Sequence, residues 1–279
     1  MKKILSSSLL LLLVISCFTS AKAQVTISPT NMFIDDSNPF GTYMVINGSN
    51  ETQEIGIDFL FSYSNTDEFG NRRIVQDDEE AENRYSIASY IRAFPRNFTL
   101  APGQRQVVRL RLSTPNDLDD GTYWARIKTS SSPESPPVEL QTNSAVAARV
   151  AITVEQVTGL FFKKGNVSTG ITIGDINVKE SDDGNSLLVL TNLTRDGNSP
   201  FLGSITVSMI DSRGNEVKRG FISTSIYFDG VHKQELDLTN VPSGNYTIKV
   251  QFESSRSDIT AEDIIQMNTV NKTVSYSNR

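Results

Sequence analysis

"DDGTYWARI" at residues 119–127 and "PSGNYTIKV" at residues 242–250 follow one pattern. Each has a turn, then Gly-x-Tyr, then a strand in which apolar residues alternate. Tyr123 and Tyr246 are 123 residues apart, about the length of one sandwich domain. A tyrosine that follows a turn and opens the penultimate strand suits the tyrosine corner of immunoglobulin-like sandwiches. There the phenol hydroxyl bonds back to the backbone a few residues upstream. Two unrelated strands that happen to begin with tyrosine are the competing explanation.

Working outward, the chain alternates with period two almost throughout, and helical periodicity is absent. Gly56–Phe61, Val107–Leu112, Tyr123–Ile127, Ala145–Val154, Leu187–Leu190, Ser204–Ile210 and Tyr246–Phe252 are rich in β-branched and aromatic residues. Gly/Asn/Asp clusters at 119–121, 182–185, 195–198, 212–215 and 242–245 separate them. This predicts an all-β chain of two immunoglobulin-like β-sandwich domains in tandem. The expected N-terminal domain is 24–156 and the C-terminal domain 157–279, with the division between a long final strand and the apolar run Leu160-Phe161-Phe162.

Residues 1–23 read as a secretory signal. Lys2 and Lys3 precede the apolar run Leu9–Ile15, and Ala21-Lys22-Ala23 forms a small-x-small cleavage site before Gln24. The rival is a lipoprotein signal ending at Cys17, the one route to membrane anchoring that the sequence offers. Cleavage after Ala23 predicts export to the periplasm and leaves 256 residues. It removes Lys2, Lys3 and Lys22 but no acid, so the formal net charge moves from −6 to −9. The only cysteine leaves too, so the exported chain relies on its hydrophobic cores. The acidic balance argues against nucleic acid or anionic lipid as a non-specific partner.

No catalytic constellation, cofactor motif or metal set emerges, and no small-molecule substrate is implied. The single histidine, His232, reads as a surface residue in a turn before "KQELDL". With one histidine and no mature cysteine, zinc and thiol chemistry are unsupported. Asn65–Arg84, carrying Asp67, Glu68, Asp77, Asp78, Glu79, Glu80 and Glu82, reads as a solvated hairpin tip rather than a calcium loop. "SSSPESPP" at 130–137 reads as a linker barred from a central strand. In "LAPGQRQVVRLRL" (100–112), Arg105, Val107, Arg109 and Arg111 share one strand face. They are expected to face solvent and pair with carboxylates on neighbouring strands.

"VELQTNSAVAARVAITV" at 138–154 is the candidate working segment. Its even positions are mostly apolar (Val138, Leu140, Val146, Ala148, Val150, Ile152, Val154) over more than the usual strand length. Either it is an ordinary last strand with a ragged start, or its first half overhangs the sheet and offers alternate side chains to a partner strand.

Two further stretches carry a resemblance. "FPRNFTLAPGQRQVVRLRL" (94–112), continuing through "DDGTYWARI", and the opening "VTISPTNMFID" (25–35) resemble periplasmic chaperones of the chaperone–usher pilus pathway. Residues 187–217 and 225–250 resemble the second domain of a divergent, archaic-type branch. The resemblance implies a non-enzymatic chaperone that lends its last domain-one strand to an incomplete pilin-like subunit, with an outer-membrane usher as a further partner. It implies donor roles for Val138, Leu140, Val146, Ala148 and Val150. It also implies a subunit-anchoring role for Asn31, which stands where the family has arginine. Ala151 stands at the family's lysine, and Arg149, on the same face, is its substitute. Val154-Glu155-Gln156 replaces the family's Tyr-Arg-Pro at the domain junction. A surface or adhesive protein built from two such modules is the alternative.

Overall fold

The computed structural model describes residues 25–115, 117–134 and 152–278. The first sandwich contains β1 (Val25–Ser28), β2 (Asn31–Asp35), β3 (Phe40–Asn47), β4 (Gln53–Leu60), β5 (Tyr63–Thr66), β6 (Arg72–Val75), helix α1 (Glu79–Tyr85), β7 (Ile91–Phe94), β8 (Asn97–Leu100), β9 (Arg105–Leu112), β10 (Gly121–Pro133) and β11 (Val154–Lys164). One sheet runs β1-β3-β9-β7 and the other β2-β11-β10-β4-β8, while β5 and β6 form a separate hairpin. Alternation fills the space between the sheets: Val45, Val108 and Leu110 from one meet Ile57, Ile127 and Leu160 from the other, all buried.

The second sandwich contains β12 (Thr169–Glu180), β13 (Ser186–Gly197), β14 (Phe201–Asp211), β15 (Glu216–Ile226), β16 (Gly230–Asp237), β17 (Gly244–Glu253) and β18 (Val270–Asn278). Its sheets are β12-β13-β16 and β15-β14-β17-β18, around a core that includes Val189, Ile205, Val207, Ile248 and Phe252. The fold class expected from the sequence is the fold observed.

The paired tyrosines behave alike. Tyr123 opens β10 and donates its hydroxyl to the Asp119 carbonyl at 3.0 Å; Tyr246 opens β17 and donates to the Pro242 carbonyl at 2.8 Å. Both reach back four residues, which ties each turn to the strand it precedes. Tyr123→Phe and Tyr246→Phe should each cost about 1 kcal/mol. The double variant should cost their sum, because the sites lie in different sandwiches. Urea unfolding midpoints would measure this.

Several expectations are corrected. The last strand of the first sandwich runs ten residues past its expected end. Val157–Lys164, expected to open the second domain, pairs with β10 from Ile127↔Thr158 through Gly121↔Lys164 and with β2 from Asn31↔Gly159. Ser130–Pro133 is no linker: it completes β10, a central strand, with Ser130 opposite Gly56 and Pro133 opposite Gln53 on β4. Proline is accepted there because it lies at the strand end, beyond the last β11 pairing at Ser131↔Val154. The acidic segment holds a short helix. Asp78 caps α1 by accepting from the Ala81 N–H at 3.0 Å, and Glu79, Glu80 and Glu82 sit in its first turn, where the helix dipole favours them.

The hairpin ahead of α1 is not a free tip. β5 and β6 reach the second sandwich: Ser64 Oγ donates to the Ser225 carbonyl at 3.2 Å, Arg72 to Thr224 Oγ1 at 2.9 Å, and Lys233 Nζ to Asn71. Gly70, at φ +74°, lies so close to Lys233 that a Cβ there would sit 2.9 Å from the Lys233 backbone nitrogen. His232, expected on the surface, is buried in β16 beneath this hairpin, where it shares a small cavity with Thr66 and Arg72.

Candidate functional site: an open strand edge beside the domain junction

The site begins with a change of sheet. The chain leaves β1, paired with β3 in one sheet, passes Pro29, and continues as β2, paired in parallel with β11 in the other. Proline has no N–H for a ladder and suits the break between two short edge strands. Because β2 covers β11 only from Gly159 to Lys163, Val154–Thr158 is bonded to β10 on one side and has no strand on the other among the described residues. Alternate backbone groups of this run are therefore free to pair with an added strand.

Side chains frame that edge. Leu160 and Phe162 point into the first core, which puts the even positions of β11 on the core side. On the outer side Val157 is exposed, and Glu155 accepts from Lys128 Nζ at 3.2 Å. Gln156 Nε2 reaches across to the Val25 carbonyl at 2.7 Å and is the only side-chain bridge between β11 and β1 among the described residues.

Where the open edge ends, the junction begins. Asn31 faces Gly159 across β2 and β11, and a Cβ at Gly159 would meet Asn31 Oδ1 at 2.8 Å and the Phe161 ring at 3.1 Å. The glycine lets these groups close up. Arg126, opposite Gly159 on β10, donates from Nε to the Ser62 carbonyl at 3.1 Å and from Nη2 to the Tyr227 hydroxyl at 2.9 Å. Asn31 Nδ2 donates to Asp258 Oδ2 at 3.2 Å, and Asp258 is gripped by both Arg256 Nε (2.8 Å) and Nη2 (2.5 Å). That grip holds the Asp258 carboxyl below the usual range. Lys163 Nζ lies 5.3 Å from the Phe33 ring centroid and donates to the Asp263 carbonyl at 2.6 Å; burial lowers its pKa.

An aromatic cluster fills the space between the sandwiches. Trp124 stacks on Tyr85 (4.8 Å) and Phe61 (5.6 Å) from the first sandwich and packs against Tyr227 (4.9 Å) from the second. Tyr63 adds Phe228 at 4.8 Å and donates its hydroxyl to Asp78 at 2.5 Å. Burial, then that carboxylate, raises the Tyr63 pKa to about 12.

Of the site residues expected from the sequence, Asn31 lies at the junction, engaged with Asp258. Val138, Leu140, Val146, Ala148, Arg149 and Val150 lie outside the described residues. Val154-Glu155-Gln156, aligned with a domain junction, instead starts β11 at the open edge. Sequence reading missed Arg126, Gly159, Asp258 and Arg256. The adjacent "GLFF" run at 159–162 was the available signal, since a glycine before a buried apolar run marks a close backbone approach.

No protein-family model and no curated protein sequence matches the chain. Solved structures similar to it include the YadV chaperone, 10% identical over 90% of this chain and 100% of that one, with a TM-score of 0.46. Another is the CsuC–CsuE chaperone–tip adhesion subunit pre-assembly complex of archaic chaperone–usher Csu pili from Acinetobacter baumannii. It is 11% identical over 89% of this chain and 98% of that one, with a TM-score of 0.45. The E. coli chaperone DraB is 17% identical over 81% and 90%, with a TM-score of 0.37.

Proposed function

We propose that this chain is a non-enzymatic periplasmic chaperone of the chaperone–usher type that holds pilin-like subunits by strand addition along β11. The observation that carries the reading is the run Val154–Thr158, bonded to β10 on one side and, among the described residues, without a strand on the other. A sheet edge left open in this way supplies main-chain hydrogen bonds, while side chains alternating from an added strand supply specificity. The segment that leads into it places Val146, Ala148, Val150 and Ile152 at even positions, in phase with Leu160 and Phe162. Val138 and Leu140 continue the phase. Asn31 and Arg126, facing each other across Gly159, carry N–H groups beyond those given to Asp258, Ser62 and Tyr227, and with Arg149 these are the donors for the terminal carboxylate of a bound segment in this reading. In this reading the first domain extends through Lys164, the second starts after Gly165, and an outer-membrane usher receives the loaded complex.

Co-expression with a pilin-like subunit from the same genome tests the proposal. Val146→Asp and Val150→Asp should each cut recovery of the complex by about 100-fold, the scale of burying an unpaired charge in an apolar pocket. The chaperone's own unfolding midpoint should hold. Unchanged recovery in both variants would sink the reading in favour of a two-module surface protein, which needs no subunit to bind at this edge.

A further inference from the structure

The outer face of the β1-β3-β9-β7 sheet departs from what an acidic chain leads one to expect. Arg105, Arg109 and Arg111 of β9 do point to solvent, as their alternation predicts, but the carboxylates expected opposite them are missing. Arg111 faces Phe40 on one side and Arg92 on the other; Arg109 faces Thr42 and Phe94; Arg105 faces Ile46. None of the outward side chains on the four strands is acidic. Among the described residues none of these arginines forms an ion pair, and only Arg92 donates a side-chain hydrogen bond, to the Ser89 and Ile91 carbonyls. Directly opposed like charges destabilise a sheet. Phe40, Phe94 and Val107 lie among the guanidinium groups and are 56%, 60% and 48% exposed.

We propose that this face docks on an anionic phospholipid bilayer. Three features favour that occupant. The cations are all arginines, whose planar fork matches phosphate oxygens bidentately, and among the described residues no lysine shares the face. The two phenylalanines and Val107 stand between them, where they can enter the headgroup–acyl boundary while the guanidinium groups stay at phosphate level. The surface is the outward side of a four-stranded sheet, which gathers these side chains on one face.

The net charge, −6 for the full chain and −9 after the cleavage expected at Ala23, does not oppose this contact. Screening acts over about 8 Å at physiological ionic strength, whereas the two sheets of a sandwich are about 10 Å apart. The membrane would sense mainly the charges on the near face. The contact proposed is peripheral, a sheet face laid on the bilayer surface; among the described residues no helix is long and apolar enough to cross a membrane. The face is on the opposite sheet from β11, so docking leaves the open edge accessible and does not depend on subunit binding.

Flotation of the purified chain with vesicles tests the idea. Vesicles of phosphatidylglycerol with phosphatidylethanolamine should retain it on the order of 100-fold better than phosphatidylcholine vesicles, with retention falling as salt rises. R109A/R111A should lower retention about 30-fold, at about fivefold per arginine. F40S/F94S, with no change of charge, should lower it about tenfold. All four residues are exposed, so urea midpoints should stay near wild type and separate loss of docking from loss of folding. Equal or absent retention on the two vesicle types, or anionic retention that survives R109A/R111A, overturns the proposal.

Discussion

Trp124→Ala is expected to destabilise the folded chain by about 3–5 kcal/mol, the scale for removing a fully buried large aromatic side chain. It is also expected to split one unfolding transition into two. Trp124 is 1% exposed, and its ring touches Phe61 and Tyr85 in the first sandwich and Tyr227 and Phe228 in the second. Removing the indole leaves a void where both sandwiches meet, and neither can collapse into it without giving up the stacked pairs of the other. The β5–β6 hairpin still bridges the junction, but by scattered hydrogen bonds of roughly 1 kcal/mol each. Calorimetry would report the split; Trp124→Phe, which keeps an aromatic ring, should retain a single transition at a modestly lower midpoint. A single unshifted transition in the alanine variant would mean that the aromatic cluster does not couple the sandwiches. Trp124 is the only tryptophan, so wild-type fluorescence reports directly on the junction.

Acidification should weaken the chain through one residue before its carboxylates titrate. Burial lowers the His232 pKa from 6.5 to about 4, opposed by Gln234, whose Oε1 lies 3.4 Å from Nε2, and aided by the nearby positive charge of Arg72. Between those values the unfolded chain binds a proton that the folded chain refuses. The stability that neutral His232 confers is therefore complete above pH 6.5, falls as the pH drops toward 4, and levels off below. The full difference is about 3 kcal/mol at 1.36 kcal/mol per pH unit. His232→Gln should flatten the slope of unfolding free energy between pH 4 and 6.5, because the chain has no other histidine. An identical slope in wild type and variant would assign that slope to other groups.

The strands were largely legible because their signal is local. Val107–Leu112, Leu187–Leu190, Ser204–Ile210 and Tyr246–Phe252 fall in observed strands, and Gly56–Phe61 does so up to Leu60, where β4 ends. The α1 helix was missed for the opposite reason: seven residues are too few for a 3.6-residue period, and the cap at Asp78 with acids behind it was the only clue. The arginine row shows where alternation stops informing. It placed Arg105, Arg109 and Arg111 on the outside correctly, but what lies opposite depends on register with strands far away in sequence.

The sequence by itself determined the all-β class, the repeated sandwich and the two tyrosine corners. Period-two burial and a turn followed by Gly-x-Tyr act within a few residues, and no distant partner has to be known. Only the tertiary structure decided where β11 ends, that the acidic hairpin clasps the second sandwich, that His232 is buried, and that Asn31 turns to Asp258. The open edge belongs with these. It exists because β1 and β2 pair in different sheets, and a strand's choice of neighbour is settled by non-local hydrogen bonds and shared burial that no single segment encodes.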